Sequence, residues 1–254
     1  MKAADRLVFP LDLPSAGEAR RYIRLLAGHM GMFKLGLELF IEGGPDMVRM
    51  IKEESGARVF LDLKLHDIPA TVGRAVSRCR DLGVDFLTVH CGENPHMLRS
   101  AVENAGNGLG ILGVTVLTSV DRDHLASAGY TPEFQNPRRL VRLRAESARE
   151  AGCAGIVCSG WEAGAVKKAC GTDFITMVPG IRPDWGRRTK DDQKRIVTPS
   201  AAMRNGADYL VVGRPVRDAP DPAAAADRII TELEQAELDL AGQDKAAKNI
   251  AGIS

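Results

Sequence analysis

The sequence predicts an α/β chain folded as a single (β/α)8 barrel of the TIM type, and three observations carry that expectation. Eight short runs of β-forming residues recur along the 254 residues, each is followed by a segment with helical spacing or a helix cap, and no Ser-, Pro- or Gly-rich linker divides them. An open doubly wound sheet is the competing topology for the same alternation.

Taken in order, the first run is Leu7 to Leu11, and Pro10 within it predicts a bulge or an irregular ladder just before Asp12, because proline supplies no ladder N–H. Ala16 to Ala27 reads as the helix that returns the chain. Met32 to Leu35 is the second strand, carrying Lys34, and Pro45 opens the helix that runs to Glu54. Val59 to Leu63 is the third; Asp67, Ile68 and Pro69 then mark a helix start, an acid near the positive end and a proline in the first turn, before the helix Thr71 to Leu82. Phe86 to His90 precedes the helix Pro95 to Asn104, and Ile111 to Leu117 precedes Arg138 to Ala151. The last three pairs are Gly155 to Cys158 with Glu162 to Cys170, Phe174 to Val178 with Ser200 to Asn205, and Tyr209 to Val212 with Pro222 to Leu233. Residues 1–237 are expected to form the barrel and residues 238–254 a peripheral C-terminal helix or tail.

Composition narrows the function classes. Lys plus Arg number 34 against 33 Asp plus Glu, so no global charge points to nucleic acid or to an anionic membrane surface. The stretch MKAADRLVFPLD holds no apolar signal core, and the longest apolar run, around Leu109 to Leu117, is too short to span a bilayer; a cytoplasmic protein is expected. Five cysteines without a C-x-x-C pair argue for reduced thiols rather than a metal site. Gly106, Gly108 and Gly110 precede a strand, the wrong order for a dinucleotide fingerprint.

The chemistry concentrates in Phe60 to Pro69, FLDLKLHDIP, where Asp62, Lys64 and Asp67 interrupt an apolar stretch. Side chains alternate along a strand, so Asp62 and Lys64 share a face with Phe60 while Leu61, Leu63 and Leu65 take the other. A buried structural ion pair is the plain reading of D-x-K; three charges within six residues favour a functional site. Active sites of this architecture lie at the C-terminal ends of the strands. There the chain offers Asp12 after strand 1, Lys34 on strand 2, Thr118 and Ser119 after strand 5, Arg182 after strand 7, and Gly213 and Arg214 after strand 8. Loops 7 and 8 are where such barrels often hold phosphate, and Gly213 with the guanidinium of Arg214 suits a phosphate monoester. The polar segment from Pro183 to Arg195 has the length of a lid. His66 reads as a hydrogen-bond partner beside the cluster, and His90 has no second ligand at metal spacing.

These residues, in this order, resemble the orotidine 5'-monophosphate decarboxylase family, over roughly Leu7 to Leu233. The most specific element is D-x-K-x-x-D-I-P at Asp62 to Pro69, supported by Leu11-Asp12, F-K-L-G around Lys34, V-T-V-L-T-S ending at Thr118 and Ser119, P-G-I-R ending at Arg182, Asp192-Gln193 and V-G-R ending at Arg214. Related Mg2+-dependent barrels acting on sugar phosphates share D-x-K-x-x-D but place an acid near the end of strand 2, where this chain has Lys34. The turn His90-Cys91-Gly92-Glu93-Asn94-Pro95 departs from the family's small-residue turn after strand 4.

The resemblance implies decarboxylation of orotidine 5'-monophosphate to UMP with no cofactor and no metal. It also implies a homodimer in which Asp67, Ile68 and Thr71 reach into the partner's site. Lys64 would be the proton donor to C6 and Asp62 would sit beside the departing carboxylate. Lys34 would link Asp62 to the ribose, with Asp12 a ribose ligand and Thr118 a pyrimidine contact. Arg182, Gln193, Gly213 and Arg214 would hold the phosphate. The chemistry is coherent with these roles: an ammonium held by Asp62 and Asp67 would stabilise the electron pair left at C6 and then protonate it. A Mg2+-dependent sugar-phosphate decarboxylase or aldolase, and a catalytically silent UMP-binding barrel, are the alternatives.

Overall fold

A computed structural model describes residues 1–92, 94–186 and 196–251, with side chains as far as residue 242. It contains a closed parallel barrel, β1 to β8 in sequence order, as expected. The strands are β1 (Leu7–Pro10), β2 (Met32–Gly36), β3 (Arg58–Leu65), β4 (Phe86–His90), β5 (Gly110–Val114), β6 (Gly155–Val157), β7 (Ile175–Val178) and β8 (Tyr209–Val211). The helices between and after them are α1 (Ala16–Leu25), α2 (Leu37–Gly43), α3 (Pro45–Ser55), α4 (Pro69–Asp81), α5 (Pro95–Ala105), α6 (Arg122–Ser127), α7 (Pro137–Glu150), α8 (Ala163–Cys170), α9 (Pro199–Arg204), α10 (Arg214–Arg217) and α11 (Pro222–Ala251). The last helix runs unbroken across residues 237 and 238.

Local chemistry explains the boundaries. Proline occupies the first turn of α3, α4, α5, α7, α9 and α10, where its missing N–H costs nothing. Ser15 accepts a hydrogen bond from Glu18 N to cap α1, and Asn94, Asn136 and Thr198 cap α5, α7 and α9 in the same way. Gly56, at φ 65°, ends α3 in the left-handed conformation that disfavours a Cβ.

Alternation divides the strands into two cores. Val8, Met32, Phe60, Phe86, Leu112, Met177, Tyr209 and Val211 fill the barrel interior. Leu7, Phe9, Phe33, Leu35, Val59, Leu61, Leu87 and Val89 face outward and bury against the helices. At the N-terminal end, the Arg58 guanidinium donates to Tyr209 Oη at 2.9 Å and to the Asp5 carbonyl at 2.7 Å, and lies 5.1 Å from the Tyr209 ring centre. The barrel is thus packed at one end, and its open space lies at the other.

The ladder is irregular in a different place from the one Pro10 predicts. Pro10 pairs in register with Lys34, and Leu11 N donates to the Lys34 carbonyl at 2.9 Å. The Pro10 nitrogen therefore faces β8. That neighbour pairs with β1 through Leu7 and Val8, Val212 N still donates to the Val8 carbonyl at 2.9 Å, and the pairing stops there, where proline offers no N–H. The break falls instead on β3, between Leu61 and Leu65. Among the described residues no helix is long and apolar enough to cross a membrane.

Candidate active site

Four side chains from three strand ends form an alternating row of charge. Lys34 Nζ lies 3.0 Å from Asp12 Oδ1 and 3.5 Å from Asp62 Oδ2, and Lys64 Nζ donates to that same Asp62 oxygen at 2.8 Å. The order is acid, base, acid, base, across β1, β2 and β3. The register that pairs Pro10 with Lys34, and Gly36 with Asp62, brings these positions to one rim. Asp62 and Lys64 meet as the D-x-K spacing predicts, but not through a regular strand: Leu61 pairs with Leu87 and Leu65 with Val89, so β3 carries two more residues than β4 across this interval. Lys64 absorbs the distortion at φ 50°, among the described residues the one non-glycine with positive φ. Such a conformation costs of order 1–3 kcal/mol and survives only where its surroundings enforce it.

Asp62 is 8 % exposed. Burial alone raises the affinity of its carboxyl for a proton. The charges of Lys34 and Lys64, with hydrogen bonds from Lys64 and Thr88, outweigh burial and hold it below the ordinary aspartate value of 3.8. A depressed carboxyl stabilises the fold fully above that unfolded-state value and loses the contribution as pH falls through its own lower value. The stability gap between the wild type and Asp62→Asn, measured by denaturant unfolding, is therefore expected to be widest at neutral pH and to narrow below about pH 3.8. A gap that stays constant into acid contradicts the depressed carboxyl.

The row forms one side of a cavity of about 530 Å³ at the C-terminal end of the barrel. Phe60 lies in its floor, and Val114, Val116, Leu117 and Val157 supply apolar wall beside Thr118. Pro179, Gly180, Arg182, Gly213 and Arg214 line it as well, with Arg217 beyond them. Arg182 is buried and donates to the Ile181 carbonyl at 2.9 Å. One cavity therefore brings together Asp12, Lys34, Asp62, Lys64, Thr118, Arg182, Gly213 and Arg214 from the sequence reading. Such a space suits a ligand with a polar, charged end, a flat apolar body and an anionic group near the arginines.

Asp67, Ile68 and Thr71 stand apart from that cavity. Asp67 is exposed, and its Oδ1 accepts from Ile68 N at 2.6 Å. Among the described residues of this chain Lys64 pairs with Asp62 and not with Asp67, which lies exposed just before α4. Ile68 is 65 % exposed. Gln193 and the rest of the expected lid from residue 187 to residue 195 lie outside the described residues.

Two contributors escaped the sequence reading. Thr88, fully buried on β4, donates to Asp62 Oδ1 at 2.9 Å and accepts from Lys64 N at 2.8 Å. A polar residue on the inward face of a barrel strand, two positions after Phe86, was the available signal. Arg217 was hidden because α10 has only four residues and no periodicity. The rings of His66 and His90 lie with centres 5.3 Å apart, tilted at 40° to one another. All five cysteines are free and buried, and burial pushes the Cys158 thiol on the cavity wall up, so it is no ready nucleophile. Among the described residues no three His, Cys, Asp or Glu side chains gather as a metal-binding set.

A family model described as orotidine 5'-phosphate decarboxylase / HUMPS family matches residues 5–229. The chain is 53 % identical over 234 residues to the orotidine 5'-phosphate decarboxylase of Desulfosudis oleivorans, covering 91 % of this chain and 94 % of that protein. It is 44 % identical over 243 residues to the orotidine 5'-phosphate decarboxylase of Moorella thermoacetica, with 92 % and 94 % covered. The crystal structure of orotidine 5'-phosphate decarboxylase from Lactobacillus acidophilus superimposes with a TM-score of 0.77 at 32 % identity, covering 89 % of this chain and 97 % of that one. With the D-x-K-x-x-D run, the closed barrel and the matched length in agreement, the chain belongs to the orotidine 5'-phosphate decarboxylase / HUMPS family.

Proposed function

We propose that the chain decarboxylates orotidine 5'-monophosphate to UMP, a step of pyrimidine biosynthesis, without metal or cofactor, and that Lys64 protonates C6. Family membership and the names of its relatives support the overall reaction. The observation that carries the finer reading is the row Asp12, Lys34, Asp62, Lys64 on the wall of the cavity that Arg182 and Arg214 also line.

In this reading the C6–carboxylate bond breaks heterolytically, CO2 leaves, and the electron pair remains at C6 in an orbital the ring cannot delocalise well. The barrier must then be lowered by charge fixed in advance, and the Lys64 ammonium, anchored on Asp62, provides it. The same ammonium transfers a proton to C6, giving UMP and a neutral lysine that regains its proton from solvent. The Asp62 carboxylate beside the substrate carboxylate is a like-charge contact relieved as CO2 departs. Lys34 bridges Asp62 to Asp12 and orients both toward the ribose, Thr118 contacts the base, and Arg182, Gly213 and Arg214 bind phosphate, with Gln193 assigned to the same group. Lys34 sits where the Mg2+-dependent sugar-phosphate barrels place an acid, and its ammonium already compensates the Asp62 charge.

Asp67, Ile68 and Thr71 are assigned to the site of a second copy. Their place at the start of α4, with Asp67 and Ile68 exposed beside the rim, supports that role. Exposed Leu37, Ile41 and Leu117 at the same end of the barrel would be covered in such a dimer. The direct test follows the absorbance of orotidine 5'-monophosphate with the purified chain in excess EDTA. Undiminished spectral loss supports metal-free decarboxylation. Activity abolished by EDTA and restored by Mg2+ returns the chain to the sugar-phosphate branch, and UMP binding without spectral loss identifies a silent sensor.

A further inference from the structure

Across the bulge in β3, Thr88 is the residue of β4 that faces the two extra positions. Its hydroxyl serves two groups at once. The backbone N–H of Lys64, displaced from the ladder, donates to Thr88 Oγ1 at 2.8 Å in place of a strand carbonyl. The hydroxyl proton goes to Asp62 Oδ1 at 2.9 Å. The direction of that proton is forced, because an N–H can only donate and an ionised carboxylate can only accept. The carboxylate is thereby divided: Oδ1 is occupied by Thr88, and Oδ2 is left facing Lys64 at 2.8 Å and Lys34 at 3.5 Å.

We propose that Thr88 is a positioning residue for the decarboxylation, its one oxygen holding Lys64 in its left-handed backbone conformation and turning Asp62 so that a single carboxylate oxygen meets both lysines. The inference rests on the decarboxylase reading for its kinetic consequence and on the geometry alone for its structural one. Lys64 and Asp62 lie two residues apart on one strand, yet their mutual placement depends on a third residue from the neighbouring strand. A displaced Lys64 backbone moves the ammonium away from the reacting carbon, and misplacement on an ångström scale is enough to cost orders of magnitude in rate. Thr88 itself is fully buried and is absent from the cavity lining, so it acts through its two neighbours.

The experiment compares Thr88→Val, which keeps the shape and removes the oxygen, with Thr88→Ser, which keeps the oxygen. Thr88→Val is expected to lower kcat for orotidine 5'-monophosphate roughly ten- to a hundredfold, the effect of losing a hydrogen bond to a charged group, with KM and UMP affinity within about threefold. Thr88→Ser is expected to recover kcat to within about threefold of wild type. A second readout is independent of turnover: the Asp62 carboxyl, followed by carbon NMR, titrates at higher pH in Thr88→Val than in wild type, and Thr88→Ser restores it. The sign follows because the lost donor favoured the ionised form, while Lys34 from β2 and Lys64 from β3 remain as the acting charges and Asp12 acts through Lys34. The acid limb of kcat/KM moves upward with it.

Wild-type kcat in Thr88→Val, or a Thr88→Ser as damaged as Thr88→Val, overturns the proposal. If the wild type does not act on orotidine 5'-monophosphate, the decarboxylase reading fails, and the carboxyl titration then decides the role of Thr88: an unshifted Asp62 in Thr88→Val rejects it. Should Thr88→Val not fold, Thr88→Cys, whose thiol is a weak donor and acceptor, replaces it with the same expected order of Ser above Cys.

Discussion

Replacing Lys64 by alanine is expected to lower kcat for orotidine 5'-monophosphate by about 10⁴-fold or more while leaving UMP affinity within about tenfold. Two effects disappear with one ammonium. Fixed charge facing a developing anion is worth about 10²–10³ in rate, and a positioned general acid about 10²–10⁴. Both act on the transition state rather than on the bound nucleotide, so the loss falls on kcat. Asp62 would keep Lys34 at 3.5 Å and its bond from Thr88, so the carboxylate remains compensated and the fold is expected to persist. Single-turnover absorbance with saturating enzyme in excess over substrate reads the chemical step, and calorimetric titration with UMP reads binding. A Lys64→Ala protein that turns over within tenfold of the wild type removes the lysine from the mechanism. One that loses UMP affinity in proportion to kcat assigns Lys64 to binding.

How far these residues could be read from the sequence depended on whether their roles followed from spacing or from backbone detail. The eight strands were legible because each is a short β-forming run between a helix end and a helix start, and Pro45, Pro69, Pro95 and Pro222 marked helix starts directly. The face shared by Asp62 and Lys64 came out right from a period of two, yet the strand there is not regular: the pair meets across a two-residue bulge with Lys64 at φ 50°. Alternation cannot foresee that, because β3 is distorted by its pairing with β4, and the partner that stabilises it, Thr88, reads in isolation as an ordinary β-forming residue. Asp67, which the resemblance assigns to the site of a second copy, is exposed just before α4 and accepts from Ile68 N, so within one chain its place gives no sign of a catalytic role. α2, α6 and α10, at seven, six and four residues, are too short to show helical periodicity. Pro10 was a sound signal with the wrong consequence, since its nitrogen meets the end of β8 rather than a ladder partner.

Arg214→Ala is expected to reduce kcat/KM for orotidine 5'-monophosphate roughly a hundred- to ten-thousandfold, and to leave the much slower reaction of orotidine, the nucleoside without phosphate, unchanged within about threefold. The estimate takes a bidentate guanidinium–phosphate contact as two charge-assisted bonds of about 1.5–3 kcal/mol each. The contrast between substrates is the informative part. Arg214 follows Gly213 at the end of β8, while Lys64 and Asp62 belong to β3, so the phosphate grip and the reacting carbon are served by different strands of one cavity. If phosphate only raised residence, Arg214→Ala would raise KM and spare kcat. If its binding also orders the charges around C6, kcat falls too, because energy from a remote group is then expressed in the transition state. For the same reason orotidine on the wild type should lose turnover as well as affinity. Equal losses for both substrates in Arg214→Ala would show that the arginine supports the cavity structurally rather than gripping phosphate. Loss confined to KM would confine the phosphate to anchoring and leave the row from Asp12 to Lys64 preorganised by the barrel alone.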